Sequence, residues 1–212
     1  MKKTLLFLIL TLLCMNVTAQ HWIGVRGGYN SSDITLDRFN YRKTNSYSSI
    51  NYGVIYKIYT DKYTGLQLEI NNITRGFSYR ENDTVHIRQS LEVPALGLVR
   101  YELGRFTGFF NGGFYVGYAQ KMKYKIKSET PAKEISASFS ERDSRFEFGF
   151  GFGVGIGFRV AKSVELQTEF RYNYGLTYLY TPKYKDERIK YIQPTSMQVS
   201  LGVLYKFANT KK

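Results

Sequence analysis

Hydrophobic and polar residues alternate one by one along most of this chain. The clearest stretch is Phe146 to Phe158, FEFGFGFGVGIGF. Phe146, Phe148, Phe150, Phe152, Val154, Ile156 and Phe158 fall on one face, and Glu147, Gly149, Gly151, Gly153, Gly155 and Gly157 on the other. A period of two marks an extended strand with two unlike faces. A soluble strand rarely places glycine at successive positions of one face, because glycine weakens it and leaves nothing to pack. The pattern fits a strand with lipid on one side and a narrow, crowded lumen on the other.

The same parity predicts seven more strands: Trp22 to Tyr29, Ile50 to Tyr59, Thr64 to Tyr79, Leu91 to Tyr101, Phe106 to Tyr118, Val164 to Gly175 and Met197 to Phe207. They reach or come close to the length of a tilted membrane-spanning strand, about 9 to 11 residues, Trp22 to Tyr29 being the shortest at eight. Three connections are short: Thr60 to Tyr63, Glu102 to Arg105 and Ala161 to Ser163. Four are longer: Ser31 to Ser49, Arg80 to Gln89, Ala119 to Asp143 and Thr177 to Pro194. Short turns interleaved with long loops predict an all-β fold, an eight-stranded antiparallel up-and-down transmembrane β-barrel with both termini on the short-turn, periplasmic side. In lipid every backbone N–H and C=O needs an internal partner, and a closed sheet supplies one without leaving an edge.

A soluble lipocalin-like carrier also has eight antiparallel strands, with its apolar face turned inward. Alternation alone fits both, so the decision rests on which face carries what. The face opposite the apolar one holds both charge signs: Arg26, Lys57, Arg75, Arg100, Arg171 and Lys206 against Glu69, Glu92, Glu147, Glu165 and Glu169. Near balance suits a paired, buried polar network, since unpaired buried charges are costly. Aromatics crowd the strand ends of the apolar face, as in interfacial girdles: Tyr52, Tyr101, Phe106, Tyr118, Tyr172, Tyr174, Tyr205 and Phe207. Eight strands enclose a space that side chains fill, which argues for a structural lumen over a continuous pore.

The amino terminus reads as an address. Lys2 and Lys3 precede an apolar run from Thr4 to Leu13, and Val17-Thr18-Ala19 offers small residues for signal peptidase. Residues 1–19 are therefore expected to be a cleaved signal peptide and residues 20–212 a single barrel domain. The run is too short for a membrane-spanning helix, which needs about 20 residues. Leu13 before Cys14 argues against a lipoprotein. Cleavage removes Cys14, the only cysteine of 212 residues, and lowers the formal charge from +13 to +11 by the loss of Lys2 and Lys3. A cysteine-free mature chain has neither a disulfide nor a thiolate ligand.

With these residues in order, the chain resembles the PorT-like outer-membrane β-barrel family of Gram-negative bacteria. The resemblance is carried by Gly24-Val25-Arg26-Gly27-Gly28, Leu66-Gln67-Leu68-Glu69-Ile70 followed by Arg75-Gly76, Leu91-Glu92-Val93-Pro94, Gly113-Phe114-Tyr115-Val116-Gly117-Tyr118 and Arg171-Tyr172-Asn173-Tyr174-Gly175-Leu176. Asn72 stands where the family often has an aromatic, and Ala95 where it often has Leu. The resemblance implies an integral outer-membrane protein, and its name-giving member implies a link to export and maturation of secreted proteases.

Ser200, Gly202, Tyr205 and Phe207 resemble the C-terminal signal read by the barrel-assembly machinery, which is expected to engage this last strand by edge addition during insertion. An ordinary amphipathic strand has the same composition. Lys121, Lys123, Lys125 and Lys127 alternate with apolar residues, as if the fifth strand continued above the membrane. They suit the phosphates of lipopolysaccharide or another polyanion, or simply a solvated face. Export disfavours nucleic acid as a partner. The long loops are expected to meet a protein partner whose identity the residues do not give.

Candidate chemistry is sparse. His21 and His86 are the only histidines, too few for a histidine–thiolate metal site, and no cofactor motif is found. The glycines of Phe148 to Gly157 sit in a strand with no helix after them, which excludes a dinucleotide loop. His86 with Ser78 or Ser90 and Glu81 or Asp83 could form a lipid-modifying triad on paper, without a nucleophile elbow to support it. The reading is a non-enzymatic envelope protein, with that lipid-modifying enzyme and the lipocalin-like carrier as alternatives.

Overall fold

The computed structural model describes residues 19–36, 44–79, 84–126, 133–140, 143–178 and 192–209. Residues 1–18, which hold nearly all of the expected signal peptide, lie outside them. Nine strands are described: β1 (Gln20–Leu36), β2 (Thr44–Tyr59), β3 (Thr64–Tyr79), β4 (Thr84–Leu103), β5 (Phe106–Ile126), β6 (Lys133–Ala137), β7 (Phe146–Ala161), β8 (Val164–Gly175) and β9 (Ile192–Asn209). All pairings are antiparallel. Eight strands run around the barrel in the order β1-β2-β3-β4-β5-β7-β8-β9, and β9 returns to pair with β1 along a seam from Gln20↔Asn209 to Leu36↔Ile192. The short β6 pairs only with the far end of β5, from Met122↔Ala137 to Ile126↔Lys133.

The apolar side faces outward. Phe152 is 48 %, Val154 56 % and Ile156 63 % exposed, whereas Glu69, Glu169 and Arg171 are buried in the interior. This arrangement is the reverse of a lipocalin-like carrier and makes the solvent of the outer face hydrocarbon.

The glycine side of β7 is a lane for side chains from neighbouring strands. A Cβ at Gly149 would meet the Tyr115 ring at 2.6 Å, one at Gly153 the Asn111 Oδ1 at 2.5 Å, and one at Gly157 the Glu165 Oε1 at 2.6 Å. The bulk that β7 omits is supplied by β5 and β8. Tight closure at the other turns is equally local. β4 and β5 are joined through Gly104, whose φ of 63° suits glycine, and β7 and β8 through Lys162-Ser163.

The strands run further than the apolar alternation suggests. β4 has 20 residues and β5 has 21, so much of the expected loops Arg80 to Gln89 and Ala119 to Asp143 is paired sheet. The alternating Lys121, Lys123 and Lys125 mark the extension of β5, as expected, while the partner segment of β4 and the short β6 carry hydrogen-bonded pairing into water beyond the expected strands. A register shift between Gln89 and Ser90, opposite Gln120, changes the parity of β5, so that Met122 and Tyr124 follow Ala119 on the inner face and the lysines turn outward. On the other side, pairing of β2 with β3 breaks between Ser46 and Tyr52. Side chains fill the gap: Asn30 Nδ2 donates to the Thr74 carbonyl at 3.0 Å, and Ser32 Oγ to that of Gly76 at 3.1 Å. Buried backbone groups there keep partners without a ladder.

Candidate functional site: a filled lumen beneath an open mouth

From the short-turn end upward, the lumen is filled in layers. The first is apolar: Trp22, Ile55, Tyr59, Leu98, Phe109 and Leu204 form a buried cluster. Parity does place them inward. Trp22 precedes Gly24 by two positions, Ile55 precedes Lys57, and Leu98 precedes Arg100. The expectation of an interior filled by glycines and ions overlooked them because it tracked charges.

Lys57 lies on this plug, its ammonium 4.3 Å from the Phe109 ring centre and donating to Gln167 Oε1 at 2.7 Å. Its direct partner is thus an amide rather than a carboxylate. Glu165 accepts from Gln167 at 2.5 Å and from the Thr107 hydroxyl at 3.4 Å.

Above it stands the central ion cluster. Glu69 receives Arg171 through two bonds, Nη1 to Oε2 at 2.9 Å and Nη2 to Oε1 at 2.6 Å. Arg26 Nη1 reaches the same carboxylate at 2.8 and 2.9 Å, and Asn71 and Gln67 complete its shell. Arg171 Nε also holds Glu169 at 2.7 Å. Charge-assisted, forked bonds of this kind are the strong ones in a dry interior. The next layer is Arg75 with Glu92 and Glu147, the last at 3.0 Å, and the Tyr115 hydroxyl donates to Glu147 at 2.7 Å.

Two of the interior charges stand elsewhere. Arg100 is buried at the short-turn end, its guanidinium 3.5 Å from the Tyr59 ring centre and paired at 3.2 Å with Glu102, which Arg159 also holds at 3.0 Å. Lys206 does not join the network as expected. It is half-buried at the short-turn mouth, 5.9 Å from the Trp22 ring centre, because its strand ends in reach of water.

On β9, Ser200 accepts from Arg26 Nη2 at 2.6 Å and Gly202 lies opposite Arg26, while Tyr205 and Phe207 face outward near the short-turn rim. Tyr101 and Phe106 share that rim. Tyr29, Tyr118 and Phe146 face outward at the other.

Beyond that second rim, Lys121, Lys123 and Lys125 share the outer face of β5. Lys123 pairs with Glu134 of β6 at 3.2 Å, both half exposed. Lys127 lies outside the described residues. His86 is on the inner face of the mouth, outside the membrane-spanning part of β4. Its ring stacks on Phe77 at 5.0 Å and meets Tyr124 edge-on at 4.9 Å. Burial holds its imidazole below the ordinary histidine value, with Asp143 opposing that shift. The paper triad does not assemble. Ser90 is four residues down the same strand, roughly 13 Å away at 3.3 Å per residue. Ser78 pairs with Val85 and so points to the opposite face from His86. Glu81 and Asp83 lie outside the described residues. Among the described residues, no group of three or more metal-ligating side chains comes together.

A closed antiparallel barrel with an apolar exterior, aromatic rims and a sealed polar core narrows the comparison to membrane barrels. The family model described as outer membrane protein beta-barrel domain matches residues 5–207. The chain belongs to this family. Membership places this outer-membrane barrel in the Gram-negative outer membrane, with the short turns periplasmic and the long loops extracellular. Among solved structures it is similar to neisserial surface protein A (NspA), with 12 % identity, 89 % of this chain and 99 % of that one covered, and a TM-score of 0.56. It is also similar to the outer membrane protein OprG from Pseudomonas aeruginosa, with 16 % identity, 90 % and 97 % covered, and a TM-score of 0.54. At such identities the likeness is one of fold. No curated protein matches the sequence.

Proposed function

We propose that this outer-membrane barrel is a non-enzymatic interaction protein that works from its extracellular end. The observation that supports the reading is the filled lumen. An apolar plug below and cross-linked ions above occupy the space a solute would need to pass, so the surface for this interaction falls to the extracellular end of the barrel. The extension of β4, β5 and β6 above the outer aromatic rim offers such a surface. Its lysines, Lys121, Lys123 and Lys125, face outward beyond that rim, where the phosphates of lipopolysaccharide are the polyanion they would meet. A protein partner reached through the long loops, as an accessory to protein export, is the version of this role that the PorT-like resemblance suggests. Ser200, Gly202, Tyr205 and Phe207 serve insertion, read by the assembly machinery before β9 closes on β1.

The test is a Lys121→Glu/Lys125→Glu variant extracted in mild detergent. It is expected to keep the heat-modifiable gel mobility of a closed barrel while retaining less lipopolysaccharide. Equal retention by both proteins would refute the polyanion contact. Crosslinking through the long loops in intact cells tests for the protein partner, and its absence across export-active cells would refute the accessory role.

A further inference from the structure

The periplasmic end of the lumen gathers cations. Inward parity places Arg100 and Glu102 of β4, Arg159 of β7 and Lys206 of β9 around its mouth, over the buried Trp22. Arg100 is fully committed: Nε donates to the Lys62 carbonyl at 3.2 Å, Nη2 to Gln20 Oε1 at 3.4 Å, and Nη1 pairs with Glu102. Glu102 is shared between Arg100 and Arg159. Lys206 stands differently. Its ammonium meets no carboxylate and no hydrogen-bond acceptor among the described residues, only the face of Trp22, 5.9 Å from the ring centre. The charges that act on it are two cations, Arg159 and Arg100, and the already shared Glu102.

The charge balance defines what this mouth can take. Inside it, three cations face one carboxylate. Glu165, opposite Arg159 in the register, turns to Gln167 and Thr107 instead. Counting Glu165 as well still leaves one positive charge unmatched. Each of the three short turns adds an exposed cation: Lys62, Arg105 and Lys162. Against them the turns offer Asp61, whose carboxylate is already held by Tyr63 and Thr64. Lipid headgroups lie outside the barrel wall, whereas Arg159 and Lys206 face its axis, so their ligand arrives from the periplasm. One unmatched charge suits a single carboxylate. A doubly charged phosphate would be repelled by Glu102. The turn cations then suit further carboxylates spaced along the same chain.

We propose that the periplasmic mouth docks an acidic peptide segment of a periplasmic protein, one carboxylate of which enters between Lys206 and Arg159 while its neighbours meet Lys62, Arg105 and Lys162. The entering carboxylate accepts from Lys206 Nζ and from the Arg159 guanidinium, of which Glu102 engages Nη2. Both cations are half-buried, where a charge-assisted bond is stronger than on an open surface. Trp22 and Leu204 close the lumen behind it, so the segment stops at the mouth and nothing passes. The lysine face of β5 stands at the other end of the barrel. This inference goes beyond the extracellular role and does not depend on it.

The experiment uses the whole barrel in an uncharged detergent, with 5-fluorotryptophan at Trp22, the only tryptophan. The probes are acetyl-hexaglutamate amide and its uncharged isostere, acetyl-hexaglutamine amide. The acidic peptide is expected to shift the single ¹⁹F resonance saturably, and the glutamine peptide to leave it in place. Lys206→Gln and Arg159→Gln are each expected to weaken binding at least about tenfold, as the loss of one charge-assisted bond does. Lys206→Arg is expected to retain it, and Lys121→Glu/Lys125→Glu, at the far end, to bind as the unaltered protein does. Lys206→Gln takes no ion partner from any described residue, so it is expected to keep the heat-modifiable mobility of a closed barrel. If Arg159→Gln does not fold, Lys206→Gln and the two peptides on the unaltered protein still decide. No saturable shift with the acidic peptide, an equal shift with the glutamine peptide, or undiminished binding by Lys206→Gln would each overturn the proposal. So would a shift in peptide-free phosphatidylglycerol nanodiscs that matches the peptide's and is missing in phosphatidylcholine nanodiscs, because the cations would then belong to the lipid surface.

Discussion

Arg171 on β8 and Glu69 on β3 join strands that are four places apart in either direction around the eight-stranded barrel, through paired bonds of 2.9 and 2.6 Å. The fork therefore crosses the full width of the lumen. Both side chains are almost wholly excluded from solvent, so the pair resists separation far more than a surface ion pair does. Arg171→Met leaves Glu69 and Glu169 short of positive charge in a dry interior. It is expected to lower stability by about 3–5 kcal/mol in urea unfolding from detergent or vesicles. Arg171→Met combined with Glu69→Leu is expected to cost clearly less than the sum of the two single changes. Additivity would show that the pair does not act as one unit.

The glycine lane of β7 gives a graded prediction. At Gly155 a Cβ would press on the Phe109 ring and, at 2.5 Å, on the Thr168 carbonyl oxygen, which belongs to backbone. Gly155→Ala is expected to destabilise by about 1–3 kcal/mol. Gly157→Ala meets the flexible end of Glu165 and is expected to cost less. Gly108→Ala, with nothing within 4 Å of the added carbon, is expected to be near neutral. Urea midpoints in that order check the lane, and a large loss at Gly108 would contradict it.

Much of this was legible from alternation alone. The run from Phe146 to Phe158 fixes which side of β7 is apolar, and the opposed charges of Glu69 and Arg171 fix what the other side must hold. Neither parity nor composition says which ions meet, because a partner four strands away depends on register around the closed sheet. The apolar plug was hidden differently. Trp22, Leu98 and Phe109 are inward by parity, yet hydrophobicity normally marks the outward face in such a barrel. The extracellular mouth brings residues of β1, β3, β4, β5, β7 and β9 together around one cavity, and no local pattern joins Ile34 to Pro194. The alternation of Lys121 to Ile126 does mark the continuation of β5, whereas its pairing partner Val85 to Gln89 and the short β6 lie in segments that the pattern assigns to loops.

The plug predicts closure. Planar bilayers containing the protein are expected to show no steady conductance. Phe109→Ala removes the ring beneath Lys57 and is expected to cost about 3–5 kcal/mol, as truncation of a buried aromatic does. Stable, ohmic currents from the unaltered protein would contradict a sealed lumen.

In the periplasmic turn between β2 and β3, the Asp61 carboxylate accepts from the Thr64 hydroxyl and from the Thr64 and Tyr63 backbone N–H groups, each at 2.6 Å. These bonds hold its pKa below the ordinary carboxylate value. A depressed folded-state value contributes order above the unfolded pKa and loses it as pH falls through the folded one. The Tyr63 and Thr64 amide resonances are therefore expected to stay in place through the range where free aspartate protonates, and to move only at lower pH. In Asp61→Asn they should be indifferent to pH over that range. Movement at the ordinary aspartate value would show that the turn does not hold the carboxylate.

The orientation of the two strand faces is tested most directly by fluorescence quenching from lipids brominated along their acyl chains. Trp22 is the only tryptophan and is turned into the lumen, 2 % exposed, whereas Phe152 faces outward midway between the aromatic rims. The unaltered protein is expected to keep its emission in brominated vesicles, and a Trp22→Phe/Phe152→Trp variant to lose most of it. Strong quenching of Trp22 together with an unquenched Phe152→Trp variant would contradict a barrel whose phenylalanines meet lipid.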